Sequence, residues 1–302
     1  MSTNLILFIT ATLIWGSTWY AIEFQLGVVD PALSISYRFA LAGALLMGWL
    51  ALRGQKILPP PGAWRWIALT GCFTFSVNYL LVYVATAHLP SGLVAVGGSA
   101  LTLMNILNAR LLLGQPIKPI VLVGGVLGVT GVLLLFLPEF EVQGLAGGAA
   151  IGFGCIMLSN LSASFGNMAV SKARSQNVPL LPATAWGMLL GSAVMACVAM
   201  GRGAELTFQF TPAYMLSLLY LALFGSVAAF LSYFALIGRM GADRAGYVAV
   251  MTPILALVIS TLFEDFHWTP VGAAGLLLAV GGNVLVMAPP RLVSRLRGVA
   301  AE

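Results

Sequence analysis

Charge is what this 302-residue chain has least of: Asp, Glu, Lys and Arg together make up 8% of it, against about 25% in a soluble domain. Hydrophobic residues fill 60% of the positions, more than a water-soluble core can absorb. Cysteine is scarce. The three present, Cys72, Cys155 and Cys197, are odd in number and lack paired metal-ligand spacing, which excludes a disulfide framework and a zinc module and leaves them as buried free thiols. The two histidines, His88 and His267, fall in short connections with no histidine or carboxylate at helical spacing, so neither a hydrolytic dyad nor a metal site has a candidate set. There is no Gly-x-x-x-x-Gly-Lys-Ser/Thr loop and no polar stretch large enough for a nucleotide domain, which removes ATP drive from this chain. No Asp or Glu sits securely inside an apolar run; Glu23, at the edge of the first, reads as a solvated loop charge. Proton coupling through an embedded carboxylate is therefore not expected, and neither a charged ring nor a continuous polar pore is present to suggest a channel.

What the chain has instead is ten apolar runs: Asn4 to Ile22, Pro31 to Leu50, Trp66 to Ala87, Ser91 to Leu113, Pro119 to Leu137, Gly144 to Val170, Leu180 to Met200, Pro212 to Ile237, Ala245 to Phe263 and Pro270 to Met287. Each is close to the roughly 20 residues that a helix needs to cross about 30 Å of hydrocarbon. With alternating connections, one side collects Arg53, Lys56, Arg65, Arg110, Lys118, Lys172, Arg174, Arg239, Arg244, Arg291, Arg295 and Arg297, twelve of the 14 basic residues. The other side holds Glu23, Asp30, Glu139, Glu141, Glu205, Glu264 and Asp265, with Arg202 as its cation. Basic loops stay in the cytoplasm, which predicts an all-α integral membrane protein with both termini inside. The pI near 9.3 is then the mark of cytoplasmic anchors facing anionic lipid rather than of nucleic acid. Met1 to Phe8 lacks the basic start of a secretory signal, so the first run is expected to be a retained helix.

The two halves repeat. Pro31 and Gly43 recur as Pro179 and Gly191, with Arg38 falling opposite Trp186. Gly92-Leu93-Val94-Ala95-Val96 recurs as Gly246-Tyr247-Val248-Ala249-Val250, and Pro119, Gly124, Gly131 and Leu134 recur as Pro270, Gly275, Gly282 and Leu285. Five spans per half is an odd number, so the second copy, residues 144–302, starts on the opposite side from the first, residues 1–143. Inverted repeats of this kind build transporters whose halves meet at a site near the midplane.

At this point the chain resembles a known family. Trp15-Gly16-Ser17-Thr18-Trp19, Tyr37-Arg38-Phe39 and the run from Arg244 through Pro253 to Thr269-Pro270 are similar to the EamA branch of the drug/metabolite transporter superfamily, and the likeness spans the whole chain. It departs where the family's acidic and basic pair after the fourth span is replaced by Gly114, Gln115 and Pro116. The resemblance, nearest to amino-acid exporters of that superfamily, implies ten spans in two five-helix repeats, a bacterial inner-membrane location, and export of aromatic and other neutral amino acids.

Polar groups inside a membrane are costly and mark either a pathway or an interhelical contact. On span four, Ser91, Ala95, Gly98, Thr102 and Asn105 share a narrow arc at about 100° per residue. Span six carries Asn160, Ala163, Ser164 and Asn167 on one face and Ser159, Ser162 and Gly166 on another. Such small and polar stripes either line a cavity or join helices. Span three adds Cys72, Ser76, Tyr79 and Tyr83, span eight adds Ser226, Phe230 and Tyr233, and span one adds Trp15 with Thr18. Together they suit a cargo with an apolar ring and a polar head. Arg38, the one ionised side chain clearly within a span, is a candidate to neutralise a substrate carboxylate or to brace the other repeat. Pro253 frees the carbonyl of Ala249 and is a candidate kink or gate. The expectation is a monomeric carrier without cofactor, metal or nucleic-acid partner, running as a facilitator by alternating access. The competing readings are a lipid, metabolite or drug flippase or exporter on the same fold and, less well supplied with residues, an intramembrane enzyme.

Overall fold

The computed structural model describes residues 3–117, 119–144, 147–240 and 245–287. Of the residues assigned to the basic side, Lys118, Arg244, Arg291, Arg295 and Arg297 lie outside those described. Within the described residues the chain is helical with no strand: α1 (Thr3–Glu23), α2 (Pro31–Leu52), α3 (Pro61–Thr86), α4 (Ser91–Leu113), α5 (Pro119–Gln143), α6 (Gly148–Ser175), α7 (Leu180–Gly201), α8 (Pro212–Leu236), α9 (Tyr247–Phe263) and α10 (Pro270–Met287). Nine are long and apolar enough to cross a membrane, and α9 is a shorter apolar helix. The protein is a multi-pass, ten-helix membrane protein. Local chemistry sets the ends. Asp30 accepts from the Ala32 amide at 2.8 Å, with Pro31 in the first helical turn of α2. Thr269 does the same for Gly272 ahead of α10. Gly114 closes α4 in the left-handed conformation, at φ 69°, where a side chain would be strained.

The helices pack in a pattern that repeats five helices on. α1 lies on α8 and α9, and α6 lies on α3 and α4; α2 touches α8 and α7 touches α3. The self-matched pairs are α2 with α7, α5 with α10 and α4 with α9. Glycines let α5 and α10 meet backbone to backbone: a Cβ on Gly124 would stand 2.7 Å from the Gly282 carbonyl, and one on Gly275 would stand 2.6 Å from the Gly131 carbonyl. Without a hydrophobic drive between helices in lipid, such close approach supplies dispersion contact that larger residues would block.

Four expectations need correction. α5 runs through Pro138 and includes Glu139 and Glu141 instead of stopping at Leu137; its end is held by Gln143, whose side chain bonds Glu139 and caps the Ala149 amide of α6. α6 continues past Val170 to Ser175, because Lys172 and Arg174 fall in its last turn, where cations favour the negative helix end. Cys197 is exposed and Cys72 and Cys155 are half-buried: in a membrane chain an apolar position can face lipid as readily as the core. Glu23 is half-buried, its carboxyl against that of Glu264, and not a free loop charge. Glu264 in turn caps α4, accepting from the Ser91 amide at 3.1 Å and its hydroxyl at 2.8 Å, which draws the ends of α1, α4 and α9 together.

Candidate functional site

Both third helices, α3 and α8, contain a widened π turn, at Phe73–Val77 and Leu221–Ala228. In each, a fully buried serine hydroxyl donates to the carbonyl five residues back: Ser76 to Gly71 at 2.8 Å and Ser226 to Leu221 at 2.9 Å. A π turn opens the main-chain ladder and is a recurrent feature of functional positions. Here the spare bonding capacity faces the bundle interior. Ser76 also reaches the Gly191 carbonyl of α7 at 3.1 Å, the Gly225 carbonyl accepts from the Trp15 indole at 3.2 Å, and Ser226 accepts from Arg38 Nε at 3.4 Å.

An aromatic chain runs past these turns. Tyr79 meets Phe39 at 4.8 Å between ring centroids, Phe39 meets Phe75 at 5.2 Å, and Phe75 meets Phe230 at 6.2 Å. Phe230 then meets Trp15 at 5.3 Å, and Trp15 meets Tyr233 at 5.1 Å. Both halves contribute rings, mostly edge to face, the arrangement that ring quadrupoles favour. Thr18, buried behind Trp15, donates to its carbonyl at 2.8 Å and packs where a Cβ on Gly225 would fall. Arg38 is 1% exposed, with its guanidinium over the rings of Tyr79 and Phe39 at 4.7 and 5.1 Å. Tyr83 is fully buried beside it.

The stripes of α4 and α6 meet one another. Asn167 donates to Asn105 at 3.2 Å, Asn160 to the Gly97 carbonyl at 2.9 Å, and Ser164 accepts from Asn108 at 2.9 Å. Gly98 lies in a 3-10 turn under the Trp19 ring, and Thr102 is half-buried three residues before Asn105. A cavity of about 400 Å³ opens between α4, α5 and α6, lined by Asn105, Gln115, Met168 and Ser171 among others. Among the described residues, its polar side chains are neutral. Pro253 is buried within α9, which stays helical from Tyr247 to Phe263, and the following turn presses Leu255 onto Gly16 of α1.

The EamA-like transporter family profile matches residues 2–137 and again residues 150–288. The chain belongs to the EamA-like transporter family. It is therefore a membrane transporter, and the family pattern occurs twice along it. A protein named as the uncharacterized inner membrane transporter YedA, from Escherichia coli strain K12, is 28% identical over 299 residues, covering 96% of this chain and 94% of its own. Protein PecM from Dickeya dadantii is 28% identical over 256 residues, covering 84% and 82%. Protein PagO from Salmonella typhimurium is 24% identical over 261 residues, covering 86% and 84%. A crystal structure described only as that of a protein shares the fold at a TM-score of 0.70 and 20% identity, over 98% of this chain and 99% of the other.

The candidate residues thus fall into two groups. Trp15, Thr18, Arg38, Ser76, Tyr79, Tyr83, Ser226 and Tyr233 gather around the two π turns, while Gly98, Thr102, Asn105, Asn160, Ser164 and Asn167 lie along the α4–α6 seam. Sequence reasoning passed over Phe39 and Phe75, which complete the aromatic chain, and Asn78 and Asn108, which carry bonds to Ser159 and Ser164. It also missed Gln25, fully buried and bonded to the Tyr214 carbonyl. A signal for the π turns was present: Ser76-Val77, Leu81, Tyr83 and Ala85 recur as Ser226-Val227, Leu231, Tyr233 and Ala235.

Proposed function

We propose that this transporter carries neutral and aromatic amino acids, or small metabolites of similar shape, out of the cytoplasm by alternating access between two inverted repeats, residues 1–143 and 144–302. The observation that carries the reading is the run of rings from Tyr79 to Tyr233, built from both halves and flanked by hydroxyl and carbonyl groups at the paired π turns. Rings offer a cargo side chain a stacking surface, and the polar groups fix its head. A site shared by two halves changes the side it opens to when they rock against one another.

The inner-membrane name of YedA and the basic face of the chain support placement in the bacterial inner membrane with both termini in the cytoplasm. The protein acts as a monomer, since each repeat finds its counterpart within the same chain. It runs down the cargo gradient as a facilitator. The cavity at the basic end of α4, with Asn105, Gln115 and Ser171 in its wall, is the cytoplasmic approach to the site.

Expression in a bacterial host challenged with a toxic fluorinated phenylalanine tests this. Raised tolerance, lost when Trp15 is replaced by Ala in protein expressed to the same level, is the expected result. Unchanged tolerance with abundant, folded protein contradicts the proposed cargo.

A further inference from the structure

Arg38 is a buried cation with almost nothing to bond. A guanidinium offers five N–H groups, yet the structure gives it one hydrogen-bond partner, Ser226 Oγ at 3.4 Å from Nε, and Nη1 is buried with none. No carboxylate among the described residues pairs with it. The rings of Tyr79 and Phe39 cover its faces at 4.7 and 5.1 Å. They favour the charge through their quadrupoles and hold the plane still, but they satisfy no N–H. Beside the guanidinium lies the Tyr83 hydroxyl, fully buried, near enough to Arg38 to feel its charge and with no hydrogen bond of normal geometry to any group. Leaving a buried charge short of hydrogen-bond partners away from water is costly.

We propose that Arg38 and Tyr83 form a carboxylate subsite, which a cargo enters with its acid group while its apolar part lies along Phe230, Trp15 and Tyr233. A guanidinium edge with unbonded N–H groups, beside a hydroxyl whose proton is free to donate, is the complement of a carboxylate, which brings two acceptor oxygens and no hydrogen in a planar group. This rests on the transporter reading above and deepens it, because it makes the acid group the required part of the cargo. The π turn of α8 orients both ends: Ser226 faces Arg38, and its neighbour Gly225 receives the Trp15 indole.

The related position in the second repeat does not supply a matching cation. Trp186 stands where Arg38 has its counterpart, and its indole is engaged by the Ile57 carbonyl at 3.1 Å. The π turns of the two repeats correspond, but among the described residues only that of α8 has a buried cation beside it. A cargo polar at one end and apolar at the other fits that asymmetry, whereas an apolar drug, an amine or a cargo with two acid groups does not.

Thermal unfolding of the purified full-length protein in detergent, with matched acids and amides at equal ionic strength, tests the subsite. The pairs are phenylalanine and phenylalaninamide, benzoate and benzamide, and acetate and acetamide. The acid of at least one pair is expected to stabilise the protein at about one tenth of the concentration that its amide needs, the difference a charge-assisted bond gives. Tyr83→Phe, which keeps the ring, and Arg38→Gln are each expected to shrink that preference severalfold. Should Arg38→Gln fail to fold, Tyr83→Phe alone decides. Equal response to acid and amide in every pair overturns the subsite, and so does a preference that both variants retain. A preference seen with benzoate or acetate and not with phenylalanine upholds the subsite and overturns the amino-acid cargo.

Discussion

Gly131 of α5 and Gly275 of α10 face each other across the bundle so closely that a Cβ on Gly131 would stand 2.5 Å from the Gly275 carbonyl. Seven residues away the contact is repeated in reverse by Gly124 and Gly282. Gly124 and Gly275 are related by the repeat, as are Gly131 and Gly282, so one contact becomes the other when the halves are exchanged. Four glycines that look like ordinary membrane-helix composition are thus one two-fold joint.

That joint predicts a sharp position dependence. Gly131→Ala places its methyl group against the Gly275 carbonyl and the Ala279 backbone, and overpacking of this kind costs about 1–3 kcal/mol. Gly48→Ala, with nothing within 4 Å of the new carbon, serves as the control. Thermal unfolding in one detergent should show Gly131→Ala melting clearly below the parent protein and Gly48→Ala unchanged or slightly higher. Equal melting temperatures contradict the close approach.

The π-turn serines should not be equivalent. Ser226→Ala strips Arg38 of its one hydrogen-bond partner, at a cost of roughly 1–3 kcal/mol for an unsatisfied buried group. Ser76→Ala leaves the Gly71 and Gly191 carbonyls short of one donor but strands no charge. The expected order of melting temperatures is parent, Ser76→Ala, then Ser226→Ala. The reverse order contradicts the account of Arg38.

Trp15→Phe keeps a ring beside Phe230 and Tyr233 and removes the bond from the indole to Gly225. A net hydrogen bond of this size is about 0.5–1.5 kcal/mol, or roughly two- to tenfold. Initial rates of phenylalanine efflux from loaded vesicles, normalised to reconstituted protein, should fall by that factor. A fall beyond a hundredfold points to a larger role for the indole than orientation.

The amide seam gives a test of a different kind. If Asn105 and Asn167 join α4 to α6, a double-mutant cycle with Ala at each position should show a coupling energy near 0.6 kcal/mol, the scale found for interhelical hydrogen bonds in lipid. Cargo contact without joining predicts additive stability changes and a shared loss of flux.

Much of this architecture is written openly in the sequence. Run lengths gave the spans, because hydrocarbon thickness dictates them, and the spacing of Gly124 and Gly131 against Gly275 and Gly282 marked the repeat. Span ends were less legible: Pro138 looks like a stop, yet Gln143 holds the helix beyond it. Burial was harder still, since Cys197 on a lipid-facing surface and Phe75 in the core are equally apolar letters. Asn105, Ser164 and Asn160 were visible as polar residues on a face, but whether such a face lines a path or meets its partner depends on the helix opposite. The π turns shift every later side chain on α3 and α8, so a fixed 100° period could group Ser226 with Tyr233 but could not bring Phe75 onto Phe39 and Phe230.

Counterflow of radiolabelled phenylalanine into proteoliposomes containing only this protein tests the central claim most directly. Vesicles preloaded with unlabelled phenylalanine should accumulate label transiently, with or without a pH gradient, and empty vesicles should not. No accumulation of label by preloaded vesicles, under conditions where the protein is shown to be folded and inserted, contradicts a carrier for aromatic amino acids.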